Sequence, residues 1–300
     1  AAAVESIETE LIYLNDAGKE FTLNQKEPSN RTEEEMEKSR DRRTMRVTNG
    51  RLSAESFSLD KHGFAHLNTG SPGVSDWDDV DQLREVYYKE CSDIVAKATG
   101  ALHVQCFGHI HRKPDGISTV EGKGAGGAYA RAVHNDFTPR MGERIHHLMA
   151  SRGFKMPPGV SFQIINLWRG MHRVDSVPLA MCDQRSVRQA ELVPAPLFNY
   201  VANQEGAGEI YMAQHSDAHE WYYFPSLEPE ECLLIKTFDG TDANWMPPLH
   251  TAVDDPNTPV DALPRESMEV RMLAFFPSKG AAGKVVSGLS SVKSFFSKSG

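Results

Sequence analysis

The chain has 300 residues, 40% of them hydrophobic, which is enough to bury one substantial core, and all-β barrels of this length commonly form a single domain with helical additions. A formal charge of −9 offers no large basic face to release counterions from a phosphate backbone, and so argues against nucleic acid as a partner. Cys91, Cys106, Cys182 and Cys232 are widely separated with no C-x-x-C pair, which argues against a zinc knuckle or a disulfide framework.

Residues 1–50 read as an N-terminal arm. They begin with a strand-like Glu10-Leu11-Ile12-Tyr13-Leu14 and then turn highly polar through Thr32-Glu33-Glu34-Glu35-Met36-Glu37-Lys38-Ser39-Arg40, a charge run expected to form a solvated helix or an ordered arm. Residues 51–277 read as the main domain. Within it, Val80, Leu83, Val86, Tyr87, Cys91, Ile94, Val95 and Ala98 recur at helical spacing and predict a helix over 77–99, ended by Gly100 and covering one face of a sheet.

After Gly100 short strand candidates separated by Gly, Pro and Asp take over, at 102–109, 160–168, 232–238, 249–253 and 268–276, with a second helix at 140–149. Val160-Ser161-Phe162-Gln163-Ile164 and Met268-Glu269-Val270-Arg271-Met272 alternate strictly, so one face is apolar and the other carries polar groups into a cavity or solvent. Residues 278–300 form a tail rich in Gly, Ser and Lys, in which Val285, Val286, Leu289, Val292, Phe295 and Phe296 approach helical spacing. An amphipathic helix docked on its own domain or on a sister subunit is the expectation there, so a homo-oligomer stays open. The expected fold is mainly β with flanking helices around a double-stranded β-helix core, jelly-roll and cupin-like. No run of about eighteen apolar residues and no leader pattern occur, so no stable membrane span is expected and a cytoplasmic location is.

The chemistry is carried by Val133-His134-Asn135-Asp136-Phe137-Thr138 together with a lone His250. On a strand His134 and Asp136 point to the same face with Cβ atoms about 7 Å apart. With one imidazole from a neighbouring strand they can cap one face of an iron(II) ion and leave the other open. H-x-D is weak by itself among twelve histidines, and His215-Ser216-Asp217 is a second copy. Topology separates the two. In a double-stranded β-helix the paired ligands lie on the second core strand and the distal histidine on the seventh, which requires roughly 40 intervening residues. Asp217 is 33 positions from His250 and Asp136 is 114, so the first copy is chosen. His109-x-His111 and His146-His147 have no carboxylate at ligand spacing and read as solvated or core-bonded. The aromatic run from His219 to Pro225 reads as core.

Beyond His250, Arg265, Ser267, Glu269 and Arg271 all face one side of the next strand. Arg265 and Ser267 form an R-x-S pair suited to the distal carboxylate of 2-oxoglutarate, since a guanidinium offers two parallel donors and the hydroxyl a third. Arg271 is held as a second carboxylate partner, for co-substrate or substrate.

Several ordered blocks also resemble the CmcJ/AsaB-type hydroxylase and desaturase family, the gibberellin-desaturase-like proteins of fungal natural-product pathways. The blocks are Ser58-Leu59-Asp60-Lys61-His62-Gly63-Phe64, the 133–138 run, Asn166-Leu167-Trp168-Arg169, residues 178–187, Trp221-Tyr222-Tyr223-Phe224-Pro225, residues 231–239, and residues 264–271. The resemblance spans roughly 55–277. It implies a jelly-roll enzyme with iron ligands at His134, Asp136 and His250, iron(II) as metal and 2-oxoglutarate and O₂ as co-substrates. It also draws attention to Arg169, Arg185 and Lys236, whose alternative is ion pairing within the structure. Two departures are visible: Gly240 where a serine is more usual, and Gly170-Met171-His172-Arg173 after the N-x-W-R block.

The reaction implied is oxidation of a small natural-product or amino-acid-derived molecule, by hydroxylation, desaturation or oxidative cyclisation, with 2-oxoglutarate converted to succinate and CO₂. Two rivals remain at this level. One is a cupin-type metal dioxygenase or isomerase that uses no 2-oxo acid, and the other a catalytically silent jelly-roll binding protein.

Overall fold

The alternation in residues 160–164 and 268–272 belongs to two neighbouring antiparallel strands at the centre of a sheet. The computed structural model describes residues 4–26, 32–119, 122–123, 129–151, 153–154, 156–197, 208–277 and 292–294. In chain order its elements are β1 (Ser6–Leu14), α1 (Asp16–Asn24), α2 (Glu33–Glu37), β2 (Arg40–Asn49), β3 (Phe64–Asn68), α3 (Val80–Gln82), α4 (Tyr88–Thr99), β4 (His103–Lys113), β5 (Gly116–Thr119), β6 (Gly122–Lys123) and β7 (His134–Asn135). They continue with α5 (Pro139–Ser151), β8 (Val160–Gly170), β9 (Leu179–Cys182), β10 (Leu192–Leu197), β11 (Gly208–Ala213), β12 (Trp221–Tyr223), β13 (Glu231–Asp239), β14 (His250–Ala252) and β15 (Ser267–Pro277).

The strands form two sheets, β3-β13-β8-β15-β4-β5-β6 and β1-β2-β12-β9-β14-β7-β11-β10. All neighbours are antiparallel except β12 and β2. The fold is mainly β with a jelly-roll core and flanking helices, as expected.

The residues expected as an arm supply β1 and β2, which pair with each other over their full lengths and join the larger sheet through β12. Ile7, Thr9, Leu11 and Tyr13 are buried at every second position, the strand period. Backbone bridges from Ile12 to Ala132 and Leu14 to Gln214 curl this sheet back on itself, and Leu11, Tyr13, Val47, Trp221 and Tyr223 pack inside the curl. The charge run does form a short exposed helix, α2, closed by a capping box between Thr32 and Glu35.

The helix predicted over 77–99 is realised as α3, a π-helical turn at Leu83–Tyr87, and α4, which ends at Gly100 with φ 70°. Leu83, Tyr87, Cys91 and Val95, four apart, pack on Val270, Met272, Ile165 and Leu167 from the outward face of β15 and β8. Burying Leu83 and Val95 contributes about 1.5–3 kcal/mol each. The inward side chains of β15 run Phe275, Leu273, Arg271, Glu269, Ser267, from apolar to polar. Beyond Leu273, the aromatic cluster of Phe162, Phe238 and Phe275 is capped by α5; beside Trp168, the sheets meet through Leu179, Met181, Phe64, Leu233 and Ile235. A polar band lies between these two apolar plugs.

In the two departures from the family pattern, Gly240 and Gly170 each have a steric reason. A Cβ at Gly240 would stand 2.8 Å from the Phe162 carbonyl oxygen, and one at Gly170 would stand 2.5 Å from Val174 Cγ2 and 2.7 Å from the His172 carbonyl oxygen. Of the tail, residues 292–294 are described, with Val292 buried beside the α5 cluster, and the rest of its expected helix lies outside the described residues.

Candidate metal centre

β7 has only two residues, held between β11 and β14, and its His134 stands directly opposite His250 of β14. The two rings are 4.3 Å apart. Asp136 follows just past the strand end. Fully buried Asn135 fixes that exit, since its amide donates to the Phe137 carbonyl at 2.8 Å and to the Thr237 carbonyl at 2.9 Å. Thr237 is the extra residue of a bulge in β13, which turns its carbonyl toward the opposite sheet. A bulge in one sheet thereby positions the turn of the other that carries Asp136.

Donor atoms of His134, Asp136 and His250 all lie within 4.8 Å of one another. His134 Nδ1 is 2.7 Å from the Ala132 carbonyl, which can only accept, so the proton is assigned to Nδ1 and Nε2 keeps its lone pair. That Nε2 is 3.6 Å from Asp136 Oδ1, and His250 Nε2 is 3.9 Å from the same oxygen. Burial lowers the pKa of His134; burial first, and the facing His134 second, push His250 down to about 3. For Asp136 burial acts upward, but Arg271 first and then both imidazoles outweigh it and hold the carboxyl well below its ordinary range. Two neutral imidazoles and one carboxylate, converging from one side, make a donor set that fits iron(II).

The second carboxylate oxygen, Oδ2, accepts from Asn166 Nδ2 at 2.7 Å and lies 4.0 Å from Arg271 Nη2. Asn166 Nδ2 also donates to Glu269 Oε1 at 3.1 Å, and Arg271 Nε reaches the same oxygen at 3.4 Å. Arg271 is thus already engaged by two carboxylates. Arg265 is different. It is 1% exposed, sandwiched between the rings of Tyr129 at 4.5 Å and Trp168 at 5.4 Å, and donates through Nη1 to the Val177 carbonyl. Its Nε and the hydroxyl of Ser267, also 1% exposed, have no partner among the described residues. Burial foremost, and Arg112 next, pull this guanidinium down to about 9.

The other candidates separate cleanly. His215 lies 3.4 Å from a fully exposed Asp217, and no third ligand joins them among the described residues. His109 bonds Tyr88, while His111 lies near Asp78. His146 and His147 sit on the exposed side of α5. Trp221 and Tyr223 are core. Arg169, Arg185 and Lys236 pair with Glu90, Asp183 and Asp239.

The family model described as oxidoreductase/YMDC permease-like domain matches residues 11–275. The chain belongs to this family. Hydroxylase/desaturase efuI of Hormonema carpetanum is 30% identical over 247 residues, covering 77% of this chain and 82% of that protein. Fe(II)/2-oxoglutarate-dependent dioxygenase nvfI of Aspergillus novofumigatus is 28% identical over 236 residues, covering 77% and 82%. The solved iron and alpha-ketoglutarate-dependent endoperoxidase NvfI superposes with a TM-score of 0.72 at 25% identity, over 91% of this chain and 99% of that one. This member of the family is an Fe(II)/2-oxoglutarate-dependent oxygenase, with iron(II) as its metal and 2-oxoglutarate and O₂ as co-substrates. Among its described residues no helix is long and apolar enough to cross a membrane.

Three residues of this family member escaped the sequence reading. Asn135 and Asn166 lie within the 133–138 and 166–169 stretches, where the sequence pattern assigns them no role of their own. Arg112 fell outside a strand expected to end at 109.

Proposed function

We propose that His134, Asp136 and His250 hold the iron(II), that Arg265 and Ser267 anchor the distal carboxylate of 2-oxoglutarate, and that Arg271 serves as counter-ion to Asp136 and Glu269. The observation that carries this reading is the contrast between the two arginines. Arg265 is a buried cation whose Nε, like the buried Ser267 hydroxyl, has no partner among the described residues, whereas Arg271 is already paired. An unpaired buried charge is costly, and a carboxylate offering bidentate acceptance relieves it. Ser267 and Arg271 are four residues apart on β15, about 13 Å of strand, which leaves room for a diacid between anchor and metal.

Bound iron(II) supplies O₂ activation coupled to oxidative decarboxylation of 2-oxoglutarate to succinate and CO₂, and with it oxidation of a substrate C–H bond. The chain's own residues position and dry that chemistry. Asn166 and Arg271 fix Asp136, His134 presents Nε2 because Ala132 holds Nδ1, and the apolar plugs exclude water from the band between them. The reading extends to a small natural-product or amino-acid-derived substrate, oxidised by hydroxylation, desaturation or ring formation, in keeping with relatives named hydroxylase/desaturase and endoperoxidase. A cytoplasmic site of action accords with four free, buried cysteines.

The test is anaerobic binding. His134→Ala and His250→Ala are expected to lose iron(II) retention while staying folded. Arg265→Ala is expected to keep iron but raise the 2-oxoglutarate Kd roughly a hundredfold, read from the charge-transfer absorption of the chelate. Unchanged 2-oxoglutarate affinity in Arg265→Ala refutes the anchor assignment.

A further inference from the structure

β4 and β15 are antiparallel neighbours in which Arg112 is registered directly opposite Ser267, Ile110 opposite Glu269 and Gly108 opposite Arg271. Directly opposite side chains share a face, with Cβ atoms about 4.5–5.5 Å apart. The face shared by Ser267, Glu269 and Arg271 is the inward one, because Glu269 and Arg271 meet Asn166 and Asp136 there while Met268 and Val270 pack outward under α4. Arg112 therefore enters the polar band beside Ser267. No hydrogen bond or ion pair ties its guanidinium to any described residue, and the two carboxylates of the band are engaged by Asn166 and Arg271. Registered opposite Ser267, it lies at the anchor end of that band.

We propose that Arg112 is a second binding residue for the distal carboxylate of the 2-oxo acid, completing with Arg265 and the Ser267 hydroxyl a two-guanidinium pocket that selects a 2-oxo diacid over a 2-oxo monoacid. This rests on the assignment of Arg265 and Ser267 as the anchor. Two like charges at one low-dielectric wall repel each other, and a carboxylate between them converts that repulsion into two charge-assisted contacts. The same arrangement does little for a ligand with no charge at that end. Arg112 is thus a determinant of co-substrate selectivity, and its side chain gives the protein itself little structural support.

The experiment titrates anaerobic iron(II)-loaded protein with 2-oxoglutarate and with 2-oxovalerate, which chelates alike but has no distal carboxylate, following the chelate absorption. Parent, Arg112→Gln, Arg112→Lys and Arg265→Gln are compared, with urea melts of the metal-free proteins. Arg112→Gln is expected to raise the 2-oxoglutarate Kd about tenfold or more while leaving that of 2-oxovalerate within about twofold, and Arg112→Lys to fall between. Metal-free Arg112→Gln is expected to be as stable as the parent or more so, since a repulsion is removed. Equal loss for both acids, no loss for either, or clear destabilisation of the metal-free variant overturns the proposal while Arg265→Gln still weakens 2-oxoglutarate alone. An inert Arg265→Gln overturns the anchor assignment and the pocket with it.

Discussion

Asn166→Ala tests the link between scaffold and metal cluster most directly. Asn166 is 0% exposed, and its amide nitrogen gives one hydrogen to Asp136 Oδ2 at 2.7 Å and the other to Glu269 Oε1 at 3.1 Å. A hydrogen bond to a charged group contributes about 1.5–3 kcal/mol, and the alanine leaves two buried acceptors one donor short. Burial and the neighbouring Asp136 push the Glu269 carboxyl upward, so the second bond is nearer a neutral one and the expected loss is about 3–4 kcal/mol in the metal-free protein. The effect on metal is separate. With Oδ2 released, Asp136 no longer holds Oδ1 toward the imidazoles, and losing such a supporting partner typically costs 10–100-fold in metal affinity. Urea melts measure the first quantity, and anaerobic competition for iron(II) against a chelator measures the second. A folded Asn166→Ala that binds iron(II) within about twofold of the parent refutes the claim that this amide orients the ligand.

Three further outcomes are expected. His215→Ala leaves iron(II) affinity unchanged, and loss of iron there overturns the choice between the two H-x-D copies. Glu90→Ala strands the fully buried Arg169 and destabilises the fold by roughly 3 kcal/mol without altering 2-oxoglutarate affinity, since that pair lies on the helix side of the sheet. Stability of the metal-free protein falls as pH drops below about 6.5: burial holds folded His111 near 4 and His250 near 3, so the unfolded state binds more protons across that window, with a slope of about 1.4 kcal/mol per pH unit for each such group. Glu269, raised in the folded state, works in the opposite sense but is one group; urea midpoints that do not decline from pH 7.5 to 5.5 refute this account.

Elements whose side chains obey a single period were legible. Leu83, Tyr87, Cys91 and Val95 mark a helix face at any reading, and residues 160–164 of β8 and 268–272 of β15 alternate strictly. β4 defeated the same logic for a physical reason. Opposite β15 its register shifts between Gly108 and Cys106, so Phe107 is an extra residue, half turned to solvent at 42% exposure. The shift changes the parity of the strand: Val104 and Cys106 pack under α4, and beyond it His109 and His111 take that side. A strict period-two reading stops there, and the strand that carries Arg112 inward is cut short. β2 was hidden differently, because Arg40, Arg42, Arg43 and Arg46 are partly or fully exposed and only its end, at Val47 and Asn49, is buried.

For the site, spacing and strand order pointed to His134, Asp136 and His250, whose donor atoms the fold brings within 4.8 Å of one another, rather than to the second H-x-D, since that reading depends only on how much chain must fold between the two stretches. The choice between Arg265 and Arg271 depends on something spacing does not encode. Both lie on the inward side of one strand, and both are cations near a carboxylate in sequence. They differ in what crosses from other strands: Asp136 from the β7 turn reaches Arg271, whereas Arg265 meets two aromatic faces and a second cation. A buried positive charge between π-faces and near another guanidinium is the one that an added anion relieves most, and that difference is a property of the assembled sheets rather than of any single segment.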